Sequence, residues 1–296
     1  MKILEGKAAV VTGGGRGIGR GHCLHLAAEG AAVVVNDIDF DEAQKVVEEI
    51  AEGGGKASAN DDDISRREGA RALIQRCVDE FGAIHAVINN AGNVRDRSFL
   101  KMTDEEFMAV LQVHQCGTFM CSQEGALRMR EQGQGGAIVN TVSAAHFGNF
   151  GQTNYAGAKG AIASMTYTWA LELARYGIRV NAISPSGSTR MSSTYRGSDG
   201  QEVELPFLDP TQNGSVVAFL CSDKAEGISG QIFGTGNDRV AILEQPRYGM
   251  AVHQDGGFSA ADLVEKFDHY FKTKLEPIGI MKSPYPFHGG VKAKSD

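Results

Sequence analysis

Cysteine is scarce and unpatterned in this chain. The five cysteines, Cys23, Cys77, Cys116, Cys121 and Cys221, include no C-x-x-C spacing, which argues against a redox or zinc motif and predicts reduced, structural thiols. The eight histidines contain no HExxH or comparable spacing, so no metal site is expected. No apolar run approaches membrane-spanning length, and the first apolar segment is short and interrupted by Glu5 and Lys7, unlike a secretory signal. With a net charge of −7, the chain lacks the positive excess that nucleic acid or an anionic membrane would attract. Ala293-Lys294-Ser295-Asp296 is not a peroxisomal tripeptide, so a cytoplasmic location is expected.

What is present is enough apolar sequence for one substantial core: 296 residues, 42% hydrophobic. Seven strand candidates, at 8–12, 31–35, 56–60, 86–90, 137–142, 179–184 and 231–235, alternate with helical segments. That alternation predicts an α/β fold, a Rossmann-like doubly wound parallel sheet of about seven strands with helices on both faces. Ligands of such sheets bind beyond the carboxyl ends of the strands.

The first strand candidate runs directly into Gly13-Gly14-Gly15-Arg16-Gly17-Ile18-Gly19 and then a helix. Strand, glycine turn and helix together bring backbone amides and a helix N-terminus to a pyrophosphate. The second candidate ends in Asn36-Asp37, with Asp37 placed 20 residues beyond Gly17. A carboxylate there accepts hydrogen bonds from an adenosine ribose and repels a 2′-phosphate, which favours NAD(H). Arg16 is the counter-argument, because a guanidinium beside the ribose could accommodate the extra phosphate of NADP(H). Asp39 and Asp41 read as a solvated acidic turn opening the next helix.

Tyr155 and Lys159 are four residues apart, on one face of a helix. A free phenol titrates near 10. An ammonium about 4 Å away at an effective dielectric of 20 is worth roughly 4 kcal/mol, close to three pKa units, which would bring Tyr155 into working range as a base.

These motifs together identify the chain as a member of the short-chain dehydrogenase/reductase family. Thr12-Gly13-x-x-x-Gly17-x-Gly19 resembles the family's cofactor fingerprint, Asp62 or Asp63 before Ile64 its adenine-contacting acid, and Asn89-Asn90-Ala91-Gly92 the motif closing the fourth strand. Ser143, Tyr155 and Lys159 resemble its catalytic triad, in the family's order, over roughly residues 5 to 236. The resemblance implies that Ser143 holds the substrate oxygen and Tyr155 exchanges its proton. Lys159, on the same basis, lowers the tyrosine's pKa and bonds the nicotinamide ribose. It also places the cofactor on Gly13, Gly15, Arg16, Gly17, Ile18, Gly19, Asp37, Asp62, Asp63, Ile64, Asn90, Ala91, Gly92, Tyr155, Lys159, Pro185 and Ser188.

Three departures from the family pattern stand out. His114 occupies the position of the family's usual fourth-helix asparagine, where it could hold the same relay water and add a titration near neutrality. Ser143 lies one residue closer to Tyr155 than is usual, with Thr141 in reserve. Pro185-Ser186-Gly187 replaces the usual proline-glycine. The histidine, together with Arg95-Asp96-Arg97-Ser98-Phe99 and Gly148-Asn149-Phe150-Gly151-Gln152, resembles the dehydrogenase domain of peroxisomal multifunctional enzyme type 2. That resemblance implies oxidation of a (3R)-hydroxyacyl-CoA or a 17β-hydroxysteroid. The 185–209 segment is expected to cover the substrate, with Met191 and Tyr195 as apolar contacts, and His146 and Phe147 are further candidates for the pocket.

Residues 1–237 are assigned to the dinucleotide-binding and catalytic domain, and 238–296 to a C-terminal extension. The extension contains a helix expected from Ser259 to Lys272, with an apolar stripe of Leu263, Val264, Phe267, Tyr270 and Phe271. Such a stripe must pack on the core, near the substrate mouth or on a neighbouring subunit, so a homodimer or homotetramer is expected. The expected activity is NAD-dependent oxidation of a bulky hydrophobic secondary alcohol. The alternatives are an NADP-dependent ketone or 3-oxoacyl reductase and, remotely, a non-catalytic dinucleotide sensor.

Overall fold

The computed structural model describes residues 2–189, 207–236 and 238–280. Strand β1 (Ala8–Thr12) is buried along its whole length, as a strand covered on both faces must be. The chain continues through α1 (Gly17–Ala28), β2 (Ala32–Asn36), α2 (Phe40–Glu52), β3 (Lys56–Asn60), α3 (Arg67–Phe81) and β4 (Ala86–Asn89). Then follow α4 (Asp104–Leu111), α5 (Gly117–Gln132), β5 (Gly136–Thr141), α6 (Thr153–Leu173), β6 (Ile178–Pro185), α7 (Gly214–Cys221) and β7 (Ile232–Gly236). Strand β8 (Arg239–Leu243) and helix α8 (Ala260–Tyr270) complete the named elements.

The strands form one sheet in the order β3-β2-β1-β4-β5-β6-β7-β8. Strands β1 to β7 run parallel, and the order reverses between β1 and β4, which opens a crevice above their carboxyl ends. Alternate residues divide the core between the two faces of the sheet. Ala9 and Val11 belong to a cluster with Cys23 and Leu26 of α1, Val46 of α2 and Leu220 of α7. Ala8 and Val10 belong to the opposite cluster, with Leu73 of α3 and Cys121 and Met129 of α5. Each fully buried Val or Leu side chain contributes about 1.5–3 kcal/mol, so the two layers fix which ends of the strands stay open.

An eighth strand was not expected. Strand β8 pairs antiparallel with β7, so the start of the 238–296 segment joins the sheet edge. Val240 and Ile242 on it remain exposed, the half-solvated character of an edge strand. Helix α8 starts as expected: Ser259 and Asp262 form a capping box in which each side chain accepts from the other's backbone N–H. None of its residues is buried in the single chain. Met191 and Tyr195 lie outside the described residues.

Among the described residues no helix is long and apolar enough to cross a membrane, and no group of three His, Cys, Asp or Glu side chains could hold a metal ion. All five cysteines are free. Burial pushes the thiols of Cys77, Cys121 and Cys221 up to about 12, leaving them unreactive.

Candidate active site

The glycine turn closes over the carboxyl end of β1. Gly13 and Gly17 have φ of +62° and +54°, a region that favours glycine. A Cβ on Gly19 would lie 2.0 Å from the Gly13 carbonyl oxygen, so the helix can approach the turn this closely only without a side chain there. Asn90, just beyond β4, fastens the turn: its Nδ2 donates to the Thr12 and Gly13 carbonyls at 3.1 and 2.9 Å. The Thr12 hydroxyl accepts from the backbone N–H of Asn90 and of Ala91, both at 3.0 Å. Thr12 was part of the fingerprint but carried no assigned role; its function as the joint between β1 and β4 follows from register, which spacing alone does not reveal.

The residues fit a dinucleotide. Helix α1 has no side-chain cap and no acidic residue in its first turn, so its N-terminal amides and partial positive charge face the turn uncompensated by side chains. Asp37 stands at the end of β2, where its Oδ2 accepts from Gly15 N–H at 3.1 Å and its Oδ1 from Asp39 N–H at 3.1 Å. Arg16 is committed elsewhere: its Nε donates to Glu42 at 2.7 Å and its NH2 to Asp39 at 2.6 Å. Asp39 is therefore more than a solvated turn residue, since it holds the guanidinium. Asp62 accepts from Asn60 Nδ2 at 2.7 Å, Asp63 caps the Ser65 N–H at 2.9 Å, and Ile64 is buried beside Gly117. On the β6 side, Ser188 and Leu208 bond reciprocally: Ser188 N–H donates to the Leu208 carbonyl and Leu208 N–H to the Ser188 hydroxyl. Pro185 ends β6 and pairs with Thr235.

Ser143, Tyr155 and Lys159 converge at the carboxyl end of β5. Helix α6 presents Tyr155 and Lys159 on one face, with Lys159 Nζ 5.5 Å from the tyrosine ring centre. Asn154, fully buried, anchors the start of this helix by donating to the carbonyls of Arg95 and Glu106 at 3.0 and 3.1 Å. The Ser143 hydroxyl acts on the Tyr155 phenol, favouring its ionised form. Thr141 offers only its carbonyl, which accepts from Lys159 Nζ at 2.6 Å; its own hydroxyl is buried without a partner among the described atoms. Of the two hydroxyls, it is that of Ser143 that acts on the phenol, pulling its pKa down.

The electrostatics differ from the simple pair expected from the sequence. Burial pushes the Tyr155 phenol above its ordinary value, and the Ser143 hydrogen bond only partly opposes this. Burial also pulls the Lys159 ammonium down to about 7. Desolvation therefore acts on both members toward their neutral forms, and it outweighs the mutual attraction assumed for a solvated pair.

His114 sits in a π-helical segment, Gln112–Cys116, inserted between α4 and α5. Its ring packs edge-on against Tyr155, with centres 5.2 Å apart. Its Nε2 lies 3.0 Å from the Asn93 amide nitrogen and 2.8 Å from the Asn93 carbonyl. One nitrogen cannot accept and donate at once, so the neutral ring satisfies one of these contacts in each tautomer. The expectation of a titration near neutrality is overturned: burial, reinforced by the Lys159 charge, pulls His114 down to about 3. Gly92 makes room for the ring, since a Cβ there would lie 2.2 Å from His114 Cε1.

His146 and Phe147 follow Ser143 in a short 3-10 turn, their ring centres 4.5 Å apart. The His146 ring nitrogen Nδ1 donates to the Ser143 carbonyl. The site can thus place a hydroxyl donor, a phenol and an amine around one point beside a dinucleotide cradle, which suits hydride and proton exchange at a carbinol carbon.

The short chain dehydrogenase family profile matches residues 7–198. The chain is 37% identical over 284 residues to the hydroxyacyl-CoA dehydrogenase ChsB1 of Mycobacterium tuberculosis, covering 90% of this chain and 89% of that one. It is 36% identical over 289 residues to the peroxisomal hydratase-dehydrogenase-epimerase of Neurospora crassa, covering 93% of this chain but 31% of that protein's length. In structure it resembles a short chain dehydrogenase from Mycobacterium avium, with a TM-score of 0.83, 35% identity and coverage of 93% and 98%. Fold, cradle and comparisons agree that the chain belongs to the short-chain dehydrogenase/reductase family, close to the dehydrogenase domain of multifunctional enzyme type 2, and is an NAD(P)-dependent oxidoreductase acting on a CH–OH group.

Proposed function

We propose that the protein oxidises a bulky hydrophobic secondary alcohol with NAD, a (3R)-hydroxyacyl-CoA first among the candidates. The observation that carries this reading is the convergence of Ser143, Tyr155 and Lys159 beside the glycine turn. The hydroxyacyl-CoA dehydrogenase named among the relatives supports the substrate class. Arg16 held between Asp39 and Glu42, with Asp37 at the end of β2, supports NAD over NADP, because the Arg16 guanidinium is already paired with carboxylates.

When bound, the nicotinamide supplies the acceptor for the hydride from the carbinol carbon. Ser143 orients the substrate oxygen, and the phenolic oxygen of Tyr155 takes the hydroxyl proton as the phenol's own proton passes to the neutral Lys159 amine beside it. Lys159 receives or supplies that proton readily near neutrality, because burial has brought its amine to about 7. His114, neutral throughout the working range, holds the Asn93 backbone and packs against the base without competing for the proton.

NADH formation with (3R)- and (3S)-hydroxyacyl-CoA esters, 17β-hydroxysteroids and aryl carbinols, run in parallel with NADP, tests the assignment. Turnover of one (3R) series with NAD is expected. Turnover of the (3S) series, or a preference for NADP, would contradict it. The protein is further proposed to be a homo-oligomer. An apolar groove between α5 and α6, lined by Phe119, Leu127, Trp169 and Leu173, supports this, and a monomer by light scattering would contradict it.

A further inference from the structure

The turn that carries Ser143 is held from the far end of the described chain. Gly279 N–H donates to the Phe147 carbonyl at 3.1 Å, and Ile280 N–H donates to the Gly148 carbonyl at 2.9 Å. Two successive amides therefore bond two successive carbonyls. The approach depends on a pair of glycines. Gly148 and Gly279 have φ of +107° and +97°, where other residues are strained. A Cβ on Gly148 would lie 3.6 Å from the Gly279 Cα, an ordinary contact, so it is the backbone conformation and not crowding that calls for glycine at these positions.

Apolar burial does not account for this return. Leu275 and Ile278 are exposed, and α8, upstream of them, buries no residue. The backbone bonds to the 147–148 turn thus attach the segment where apolar contact among its described residues is slight.

From that turn a chain of bonds leads to the catalytic hydroxyl. Gly148 N–H donates to the Ala145 carbonyl at 2.9 Å, and Ala145 N–H donates to the Ser143 hydroxyl at 3.2 Å. The Ser143 carbonyl accepts from His146 twice, from its backbone N–H at 3.1 Å and from its ring. A carbonyl can only accept, so the His146 proton sits on Nδ1 and the tautomer is fixed.

We propose that Gly279–Ile280 is a positioning element of the catalytic centre: through the 147–148 turn and His146 it fixes the rotamer and height of Ser143 against Tyr155. The proposal rests on the reading of Ser143 as the substrate-orienting hydroxyl, and it gives the C-terminal extension a role in turnover. A misplaced orienting group costs rate more than affinity, because alignment matters most in the transition state.

The test replaces one amide. Ile280→Pro in the full-length protein removes the donor to Gly148, and Ile280→Val retains it. Steady-state kinetics with (3R)-hydroxydecanoyl-CoA and NAD, NAD affinity by calorimetry, and hydrogen exchange of the 143–150 segment are measured on both. Ile280→Pro is expected to lower kcat by about tenfold, with KM and NAD affinity within about twofold, and to speed exchange in 143–150. Ile280→Val should match the parent. His146→Phe should lower kcat similarly, and the double variant should be no worse than the poorer single one, as for links in one chain.

An unchanged kcat in Ile280→Pro, or a loss confined to KM, would overturn the proposal. If the unaltered protein oxidises no thioester, the functional reading fails instead. Exchange then decides alone: faster exchange in 143–150 upholds the clamp, and unaltered exchange overturns it.

Discussion

Arg16 illustrates how much depends on where a single charge is spent. Its guanidinium adjoins the glycine turn, and Asp39 and Glu42 take it at 2.6 and 2.7 Å. These groups are partly exposed, so the ion pairs contribute little to stability; under the proposed NAD reading, their role is to keep Arg16 from a 2′-phosphate. Replacing both carboxylates (Asp39→Asn with Glu42→Gln) should free the guanidinium and improve kcat/KM for NADP by about tenfold or more, the worth of one charge-assisted bond. An unchanged NADP/NAD ratio in coenzyme kinetics would remove Arg16 from the selectivity argument. From the sequence, Arg16 pointed towards NADP and Asp37 towards NAD. Asp37 carries the greater weight there; that Arg16 is already paired is not legible, because its partners lie 23 and 26 residues further along, at the start of α2.

At the scale of elements, the candidate catalytic centre draws on three connections: the turn after β1, the turn after β5 and the π-helical segment between α4 and α5. The first was legible in the sequence, since a strand buried on both faces followed by glycines has few other readings. The π-helical segment was not. Nothing in Gln112-Val113-His114-Gln115-Cys116 marks the extra residue in the turn, and the neutral state of His114 depends on burial contributed by distant elements. The helix of the extension was foreseen with its cap, whereas β8 and the return of Gly279 to Gly148 depend on pairings between remote backbones. The packing of Gly92 on His114 gives an element-level prediction. Gly92→Ala must displace the ring, and overpacking of this kind costs about 1–3 kcal/mol. Thermal unfolding should show a lower Tm and turnover should fall; a parent-like Tm and kcat would mean that the 92–93 turn and His114 adjust freely.

Among the described residues of the whole molecule two imidazoles are sealed in the interior, and they are expected to shape the protein's behaviour in acid. His22 on α1 has neither ring nitrogen bonded among the described atoms, and burial pulls it down to about 3. His114 is pulled to about the same value. In the unfolded chain both titrate near 6.5, so between about pH 6.5 and 3 the unfolded state binds more protons than the native one. The stability these neutral rings permit is therefore complete above about pH 6.5 and is lost as the pH falls through that window. Each contributes a slope of up to about 1.4 kcal/mol per pH unit. Denaturant melts of the dinucleotide-free protein at pH 7.5, 6, 5 and 4 should show this decline, and His22→Leu should make it shallower; equal slopes in the two proteins would show that His22 is protonated or hydrated in the native state.

Across all three scales the fold delivers one arrangement, a phenol and an amine that burial drives toward their neutral forms, beside a serine hydroxyl and a dinucleotide cradle. The decisive measurement is single-turnover NADH formation from a (3R)-hydroxyacyl-CoA by the unaltered protein and by Tyr155→Phe, with NAD affinity measured on both. Loss of Tyr155's proton-accepting oxygen should reduce the rate by at least about a hundredfold while NAD affinity stays within about twofold. A Tyr155→Phe protein that oxidises the thioester at the parent rate would contradict the assignment of Tyr155 as the base.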